Sequence, residues 1–162
     1  MRFIGNIEAK VDSKGRAFLP ATFRKVLSAS GEEGLILRKD VFQPCLVIYP
    51  ESVWNEQMDS LRSRLNRWNA EHQRIFRQFV SDAEILNLDS NGRFLISKRQ
   101  LTQTGINQDI KFIGMGDCIE IWNNDTCTAQ MKDPEEFSNI LQEMMSPQES
   151  TNYNIIQTKN ND

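Results

Sequence analysis

"VDSKGRAFLP", residues 11–20, returns as "LDSNGRFLIS", residues 88–97. Each copy sets Asp-Ser-x-Gly-Arg between an apolar residue and an apolar run. Aspartate opens a type I turn because its carboxylate accepts backbone N–H bonds from the turn. A glycine three residues later supplies the positive φ that a hairpin bulge requires. Asp12 and Gly15, and again Asp89 and Gly92, therefore read as the turn-forming residues of two β-hairpins. Arg16 and Arg93 follow at once, as the first residue of the outgoing strand. A turn has no need of arginine, so two readings stand side by side. One is a local Asp–Arg pair that stiffens a duplicated hairpin. The other is a guanidinium presented to a phosphate, or to guanine O6 and N7 in the major groove of DNA.

The repetition extends well beyond the turn. "NIEAKVD" alternates Ile7, Ala9 and Val11 with Asn6, Glu8 and Lys10, the pattern of a strand with one buried face. "RAFLP" resumes extended structure, and Pro20 suits the first turn of a short helix that Gly31 or Gly34 closes. "LILRKD" and "CLVIYP" read as two more strands. Val53, Trp54, Met58, Leu61 and Leu65 then recur at helical spacing, as do Ile75, Phe76, Phe79 and Val80, giving two helices that break near Asn69. The second copy follows the same course: "EILNLD", the turn, "FLI", a short helix from Ser97, strands "DIKFIGMG" and "CIEIWN", and helical "DTCTAQM" and "PEEFSNILQEMM". The offset between copies is 77 residues at the turn and 73 at the fourth strand, where "CLVIYP" aligns with "CIEIWN". A unit repeated in this way cannot bury its apolar face alone. The expected fold is α+β: two tandem units, 1–83 and 84–146, joined in one pseudo-symmetric β-barrel with short helices and a longer helical pair. A polar tail, 147–162, is expected to be frayed or disordered.

With 162 residues, 39% hydrophobic and 25% charged, the chain belongs to the soluble globular class. "MRFIGNIEAKVDSKG" has no continuous apolar run of the secretory kind, and no stretch approaches the length of a membrane span. Three cysteines without C-x-x-C spacing fit a reducing cytoplasm better than a disulfide framework. A single histidine, His72, leaves no His/Cys metal cluster at the usual spacing, and no cofactor is expected. Neither a Ser/His/Asp or Cys/His constellation nor a G-x-x-x-x-G-K-[ST] loop is present, which speaks against an enzyme. The net charge of −3 hides a division: residues 1–99 hold 16 basic against 12 acidic side chains, and residues 100–162 hold 3 against 10. A polyanion answers to the local field, so the N-terminal portion is compatible with phosphate binding.

Several features have plainer readings. Arg62, Arg64, Arg67, Arg74 and Arg77 are interleaved with Glu56, Asp59 and Glu71, as on a solvated helical face. Trp54 and Trp68 are expected in the core or at subunit contacts. Cys45 and Cys118, at equivalent places in apolar runs, are expected to be buried and unreactive.

In "VDSKGRAFLPATFRK", "CLVIYPESVW", "FVSDA", "LDSNGR" and "EIW", the chain resembles the MraZ family of bacterial transcriptional regulators over about residues 1–145. The resemblance implies two SpoVT-AbrB-like swapped-hairpin units in one chain. It also implies a ring-shaped homo-oligomer on double-stranded DNA, bound to repeated operator elements upstream of its own gene in the cell-division and cell-wall cluster. The place of action would be the cytoplasm, at the nucleoid, without a membrane partner. The family's D-x-x-x-R loop is its DNA-contacting element, which carries over to Asp12, Lys14, Gly15 and Arg16, and to Asp89, Gly92 and Arg93. Lys14 would meet phosphate and Arg16 would read a base. Two departures stand out: Ser97 where a proline is usual, and Asn91 in the place of Lys14. A protein-interaction module of the same fold, antitoxin-like and without operator binding, is the competing implication.

Overall fold

The computed structural model describes residues 1–147, so the expected tail lies, from residue 148 onward, outside the described residues. Met1–Ala129 form one compact unit, and a second begins at Gln130; each is described by itself.

In the first unit each half contributes four strands. The first half supplies β1 (Asn6–Lys10), β2 (Arg16–Phe18), β3 (Leu35–Lys39) and β4 (Leu46–Pro50); the second supplies β5 (Glu84–Leu86), β6 (Arg93–Leu95), β7 (Asp109–Gly114) and β8 (Ile119–Asn123). Between them lie α1 (Ala21–Ser30), α2 (Glu51–Ser63), α3 (Ala70–Ser81) and α4 (Lys98–Thr104), and α5 (Asn124–Gln130) follows β8 and runs to the first residue of the second unit. All pairings are antiparallel. Six strands form one sheet in the order β1-β7-β8-β4-β3-β5, and β2 pairs with β6 in a separate ribbon. Exchanging each strand for its counterpart in the other half maps this order onto itself. The halves interlock: the first half's β1 lies on the second half's β7, and the second half's β5 lies on the first half's β3.

Among the described residues the expected barrel does not close. β1 and β5 are the two edges of the sheet, and β2 and β6, three residues each, spend their ladder hydrogen bonds on one another. Side chains rather than hydrogen bonds join ribbon to sheet. Ala17 and Phe94, the inward residues of the ribbon, are buried in one apolar cluster with Leu46, Ile48, Ile119 and Ile121 of the central strands and Phe23 of α1. The opposite face of β4 and β8 feeds a second cluster, where Val47, Tyr49 and Trp122 meet Trp54 of α2 and Cys127 of α5. β4 is buried along its whole length because both of its faces are covered.

Helix boundaries follow their local chemistry. Gly31 closes α1 in the left-handed conformation at φ 73°. The break expected near Asn69 is the start of α3, where the Asn69 side chain accepts from the backbone N–H groups of Glu71 and His72. Leu65, expected on the first long helix, lies beyond its end at Ser63. Ser97 stands where Pro20 stands in the first half, as the residue before the short helix. It makes a capping box with Gln100: each backbone N–H donates to the other's side-chain oxygen at 3.2 Å. The missing proline is thus replaced by a different way of starting the same helix.

The second unit carries α6 (Pro134–Met145), with Pro134 in its first turn and Asp133 capping the N–H groups of Glu135 and Glu136. Phe137, Leu141, Met144 and Met145 on this helix are exposed.

Candidate nucleic-acid interface

The two Asp-Ser-x-Gly-Arg segments adopt one geometry twice. In the first, Asp12 Oδ1 accepts the backbone N–H of Lys14 and of Arg16, both at 2.9 Å, while Oδ2 accepts Arg16 Nε at 2.9 Å. In the second, Asp89 Oδ1 accepts from Asn91 and Arg93, both at 2.9 Å, and Oδ2 accepts Arg93 Nε at 2.8 Å. The turns close through Gly15 N–H to Asp12 O and Gly92 N–H to Asp89 O, both at 3.0 Å. The glycines have φ of 83° and 81°, the left-handed values expected from their spacing. Arg16 and Arg93 hold both carboxyls below the usual carboxylate range. The largest cause is the arginine's backbone N–H; desolvation opposes it and comes next, and the arginine side chain and the N–H of Lys14 or Asn91 add further lowering.

The first of the two readings, a local Asp–Arg pair that stiffens each hairpin, is thus present in both turns. Nε is committed to the aspartate, which fixes the plane of the guanidinium. Among the described residues no hydrogen bond engages the Nη groups of Arg16 or Arg93. A pinned arginine with its outer edge unoccupied is the fork geometry that phosphate or guanine recognition calls for.

The two arginines also share one surface, which the sequence did not reveal. β2 and β6 pair with Arg16 opposite Leu95, Ala17 opposite Phe94 and Phe18 opposite Arg93. Ala17 and Phe94 point inward, so Arg16, Phe18, Arg93 and Leu95 make up the outer face of the ribbon. Each turn is anchored on the other half: Ile96 N–H donates to Gly15 O at 2.8 Å and Leu19 N–H to Gly92 O at 2.9 Å. Lys14 lies exposed at the tip of the first turn. Its counterpart Asn91 has no charge, but a cation from α1 lies at the second turn. A Cβ placed on Gly92 would come 2.8 Å from Arg24 Nη1. Arg24 Nε donates to Leu19 O at 3.1 Å, which holds the side chain there. No pattern in the sequence singles out Arg24, because the contact joins a helix of one half to the turn of the other.

The remaining features take supporting places. Trp54 is buried and stacks on Phe79 with ring centroids 5.2 Å apart, as expected. Trp68, also expected in the core or at a subunit contact, is 96% exposed: it falls in the connection between α2 and α3, past the turns that face the core. Arg74 pairs with Glu71 at 2.8 Å, and Arg62 sits 3.7 Å over the Phe76 ring, so part of the arginine run serves its own helices. His72 Nδ1 accepts the backbone N–H of Asn66 at 2.9 Å, a structural role. Burial pushes the Cys45 thiol well up, with Glu120 adding to it, and raises Cys118 to about 12, though Cys118 is only half-buried. Neither thiol is a nucleophile at neutral pH. Among the described residues no group of three or more His, Cys, Asp or Glu is placed to hold a metal ion, and no helix is long and apolar enough to cross a membrane.

Two interlocked copies of one hairpin unit, which present aspartate-pinned arginines on a common ribbon, define a tandem-repeat protein with a bipartite cationic site. The family described as "MraZ protein, putative antitoxin-like" matches residues 3–78 and again residues 79–148. The chain is 58% identical over 155 residues to the transcriptional regulator MraZ of Phocaeicola vulgatus, covering 96% of this chain and 98% of that protein. It is 58% identical over 146 residues to that of Bacteroides thetaiotaomicron (90% and 94% covered) and 33% identical over 153 residues to that of Flavobacterium psychrophilum (94% and 97% covered). The chain belongs to the MraZ family, with two copies of the family's domain in tandem.

Proposed function

We propose that this chain is a sequence-specific, DNA-binding transcriptional regulator of a bacterial cell-division and cell-wall gene cluster. It acts at the nucleoid as a ring-shaped homo-oligomer on repeated operator elements upstream of its own gene. Its halves are swapped-hairpin units of the SpoVT-AbrB kind, fused in one chain. The observation that carries the reading is the convergence of both D-x-x-x-R turns on one ribbon, each arginine oriented by its aspartate and with no hydrogen bond to its Nη groups among the described residues. The names of the relatives, transcriptional regulators all, agree with it.

In this reading Asp12 and Asp89 orient, Gly15 and Gly92 shape the turn, and Arg16 and Arg93 read base edges, while Lys14 meets phosphate. Arg24 joins Lys14 as a phosphate contact on the second turn's side. Two forks and a few cations per protomer form a modest anchor. Several protomers on spaced repeats gain effective concentration, which turns weak contacts into selective binding. Exposed apolar side chains, Val41 and Phe42 in the first unit and Phe137 and Leu141 on α6 in the second, supply surface for self-assembly.

Alanine at Arg16 is expected to nearly abolish binding to a repeat-bearing duplex from upstream of the gene, with the oligomer intact by light scattering. Unchanged binding refutes the role. The family is also described as antitoxin-like, which favours a second reading as a protein-interaction module. A salt series separates them: a regulator loses affinity steeply as salt rises and prefers repeats over random DNA. A module without operator binding does neither.

A further inference from the structure

The outer face of the ribbon is not uniformly basic. Phe18 is 56% exposed and Leu95 62% exposed, and both lie on the same side as Arg16 and Arg93. The register makes the face a checkerboard, with Arg16 beside Leu95 in one cross-strand pair and Phe18 beside Arg93 in the other. The Arg93 guanidinium stands 5.9 Å from the Phe18 ring centroid. The inner residues fill the core, and neither Phe18 nor Leu95 belongs to either of the two apolar clusters.

We infer that Phe18 and Leu95 are thymine-reading side chains, which take the C5-methyl groups of the operator while the neighbouring arginines take its guanines. This rests on the DNA-binding reading above. A two-stranded ribbon fits the major groove, and its strands lie ~5 Å apart, well within a groove about 12 Å wide. In that groove the four base pairs are told apart by donors, acceptors and one apolar group, the thymine methyl. A face that offers donor forks and apolar side chains in alternation answers both kinds of signal. A purely phosphate-binding face has no use for the apolar half of the checkerboard. The pseudo-symmetry adds a constraint: with Arg16 and Phe18 on one strand and Arg93 and Leu95 on the other, the ribbon presents the same fork-plus-apolar pair twice, in opposite directions. The preferred base step therefore carries guanine and thymine close together, once on each side of the ribbon's local axis.

The test does not require the operator sequence to be defined. The fragment upstream of the gene is amplified once with dTTP and once with dUTP, which removes every thymine methyl and leaves base pairing unchanged. Binding is measured at one salt concentration for the wild-type protein and for the Phe18→Ala/Leu95→Ala variant. Each methyl contacted is worth roughly fourfold in affinity. The wild type is expected to bind the thymine fragment at least about fourfold more tightly than the uracil fragment, and the variant to bind both alike. An equal preference for thymine in wild type and variant overturns the inference while leaving the DNA-binding reading intact. A variant whose oligomeric state changes by light scattering overturns it too, because the two side chains then lie between copies. Failure of the wild type to bind either fragment sinks the parent reading instead. Both replaced side chains are exposed, so loss of folding does not confuse the result; urea denaturation of the variant checks this directly.

Discussion

The two turn glycines are equivalent by pseudo-symmetry but not by surroundings, and alanine at each measures the difference. Both sit in the left-handed region, at φ 83° for Gly15 and 81° for Gly92. A Cβ there costs ~1–2 kcal/mol whatever lies nearby. At Gly15 the new methyl would stand 2.7 Å from the backbone carbonyl oxygen of Ile96, the residue whose N–H bonds Gly15 O. Relieving that overlap shifts the joint between ribbon and α4, an overpacking cost of ~1–3 kcal/mol in addition. At Gly92 the obstacle is Arg24 Nη1 at 2.8 Å, the far end of a long side chain, which can swing away. Gly15→Ala is therefore expected to cost ~3 kcal/mol and Gly92→Ala ~1–2 kcal/mol. For a domain of this size that is a fall in Tm of about 10 °C against about 4 °C. Urea denaturation at fixed protomer concentration, with unchanged m-values, is the assay. Equal costs, or a larger one at Gly92, would show that the contact with Ile96 does not hold the turn.

Two further outcomes follow from the same geometry. The folded-state pKa of Asp12 and of Asp89 is lowered, so their stabilising contribution is fully present above the unfolded carboxyl value of about 3.9 and is lost as pH falls through the lowered one. The Asp12→Asn/Asp89→Asn variant is expected to lose stability less steeply than the wild type below about pH 4 in an acid-denaturation series. If Arg24 meets a phosphate, Arg24→Ala weakens binding to all sequences alike and reduces the slope of log affinity against log salt by about one per engaged protomer. A sequence-dependent loss with an unchanged slope refutes that role.

Much of the site was legible because its chemistry is local. Asp12, Gly15 and Arg16 lie within five positions, and turn rules specify the first two outright. The break near Asn69, the start at Pro134 and a stop at Gly31 or Gly34 were legible for the same reason. What the sequence withheld is everything decided by pairing across the halves. Alternation along "NIEAKVD" announces a strand but not that its partner is β7, about a hundred residues away. The barrel was expected because a duplicated unit cannot bury its apolar face alone. Instead the three-residue ribbon strands satisfied each other and left the sheet open. Leu65 was misplaced because helical spacing was carried past the point where α2 ends. Arg24 was invisible, since its role depends on which turn α1 lies against.

The interlock also bears on why the motif occurs twice in one chain. A hairpin turn alone fixes an arginine relative to its own aspartate and nothing more. Here each turn's glycine carbonyl accepts a hydrogen bond from the strand end of the other half, so neither turn reaches its final geometry until both halves are in place. The spacing of the two arginine backbones is then set by the β2–β6 register, and each arginine side chain is held by its own aspartate. Pre-set spacing of this kind lowers the ordering cost of binding, since the forks need not search for each other when a ligand arrives. It also explains how the second turn tolerates asparagine in the place of lysine. The Asp89–Arg93 bonds depend on backbone N–H groups that any residue supplies, and Arg24 restores the lost charge from a neighbouring helix. The two copies differ at Lys14 and Asn91, where the backbone alone carries the geometry, and agree at the aspartate, glycine and arginine that the geometry cannot do without.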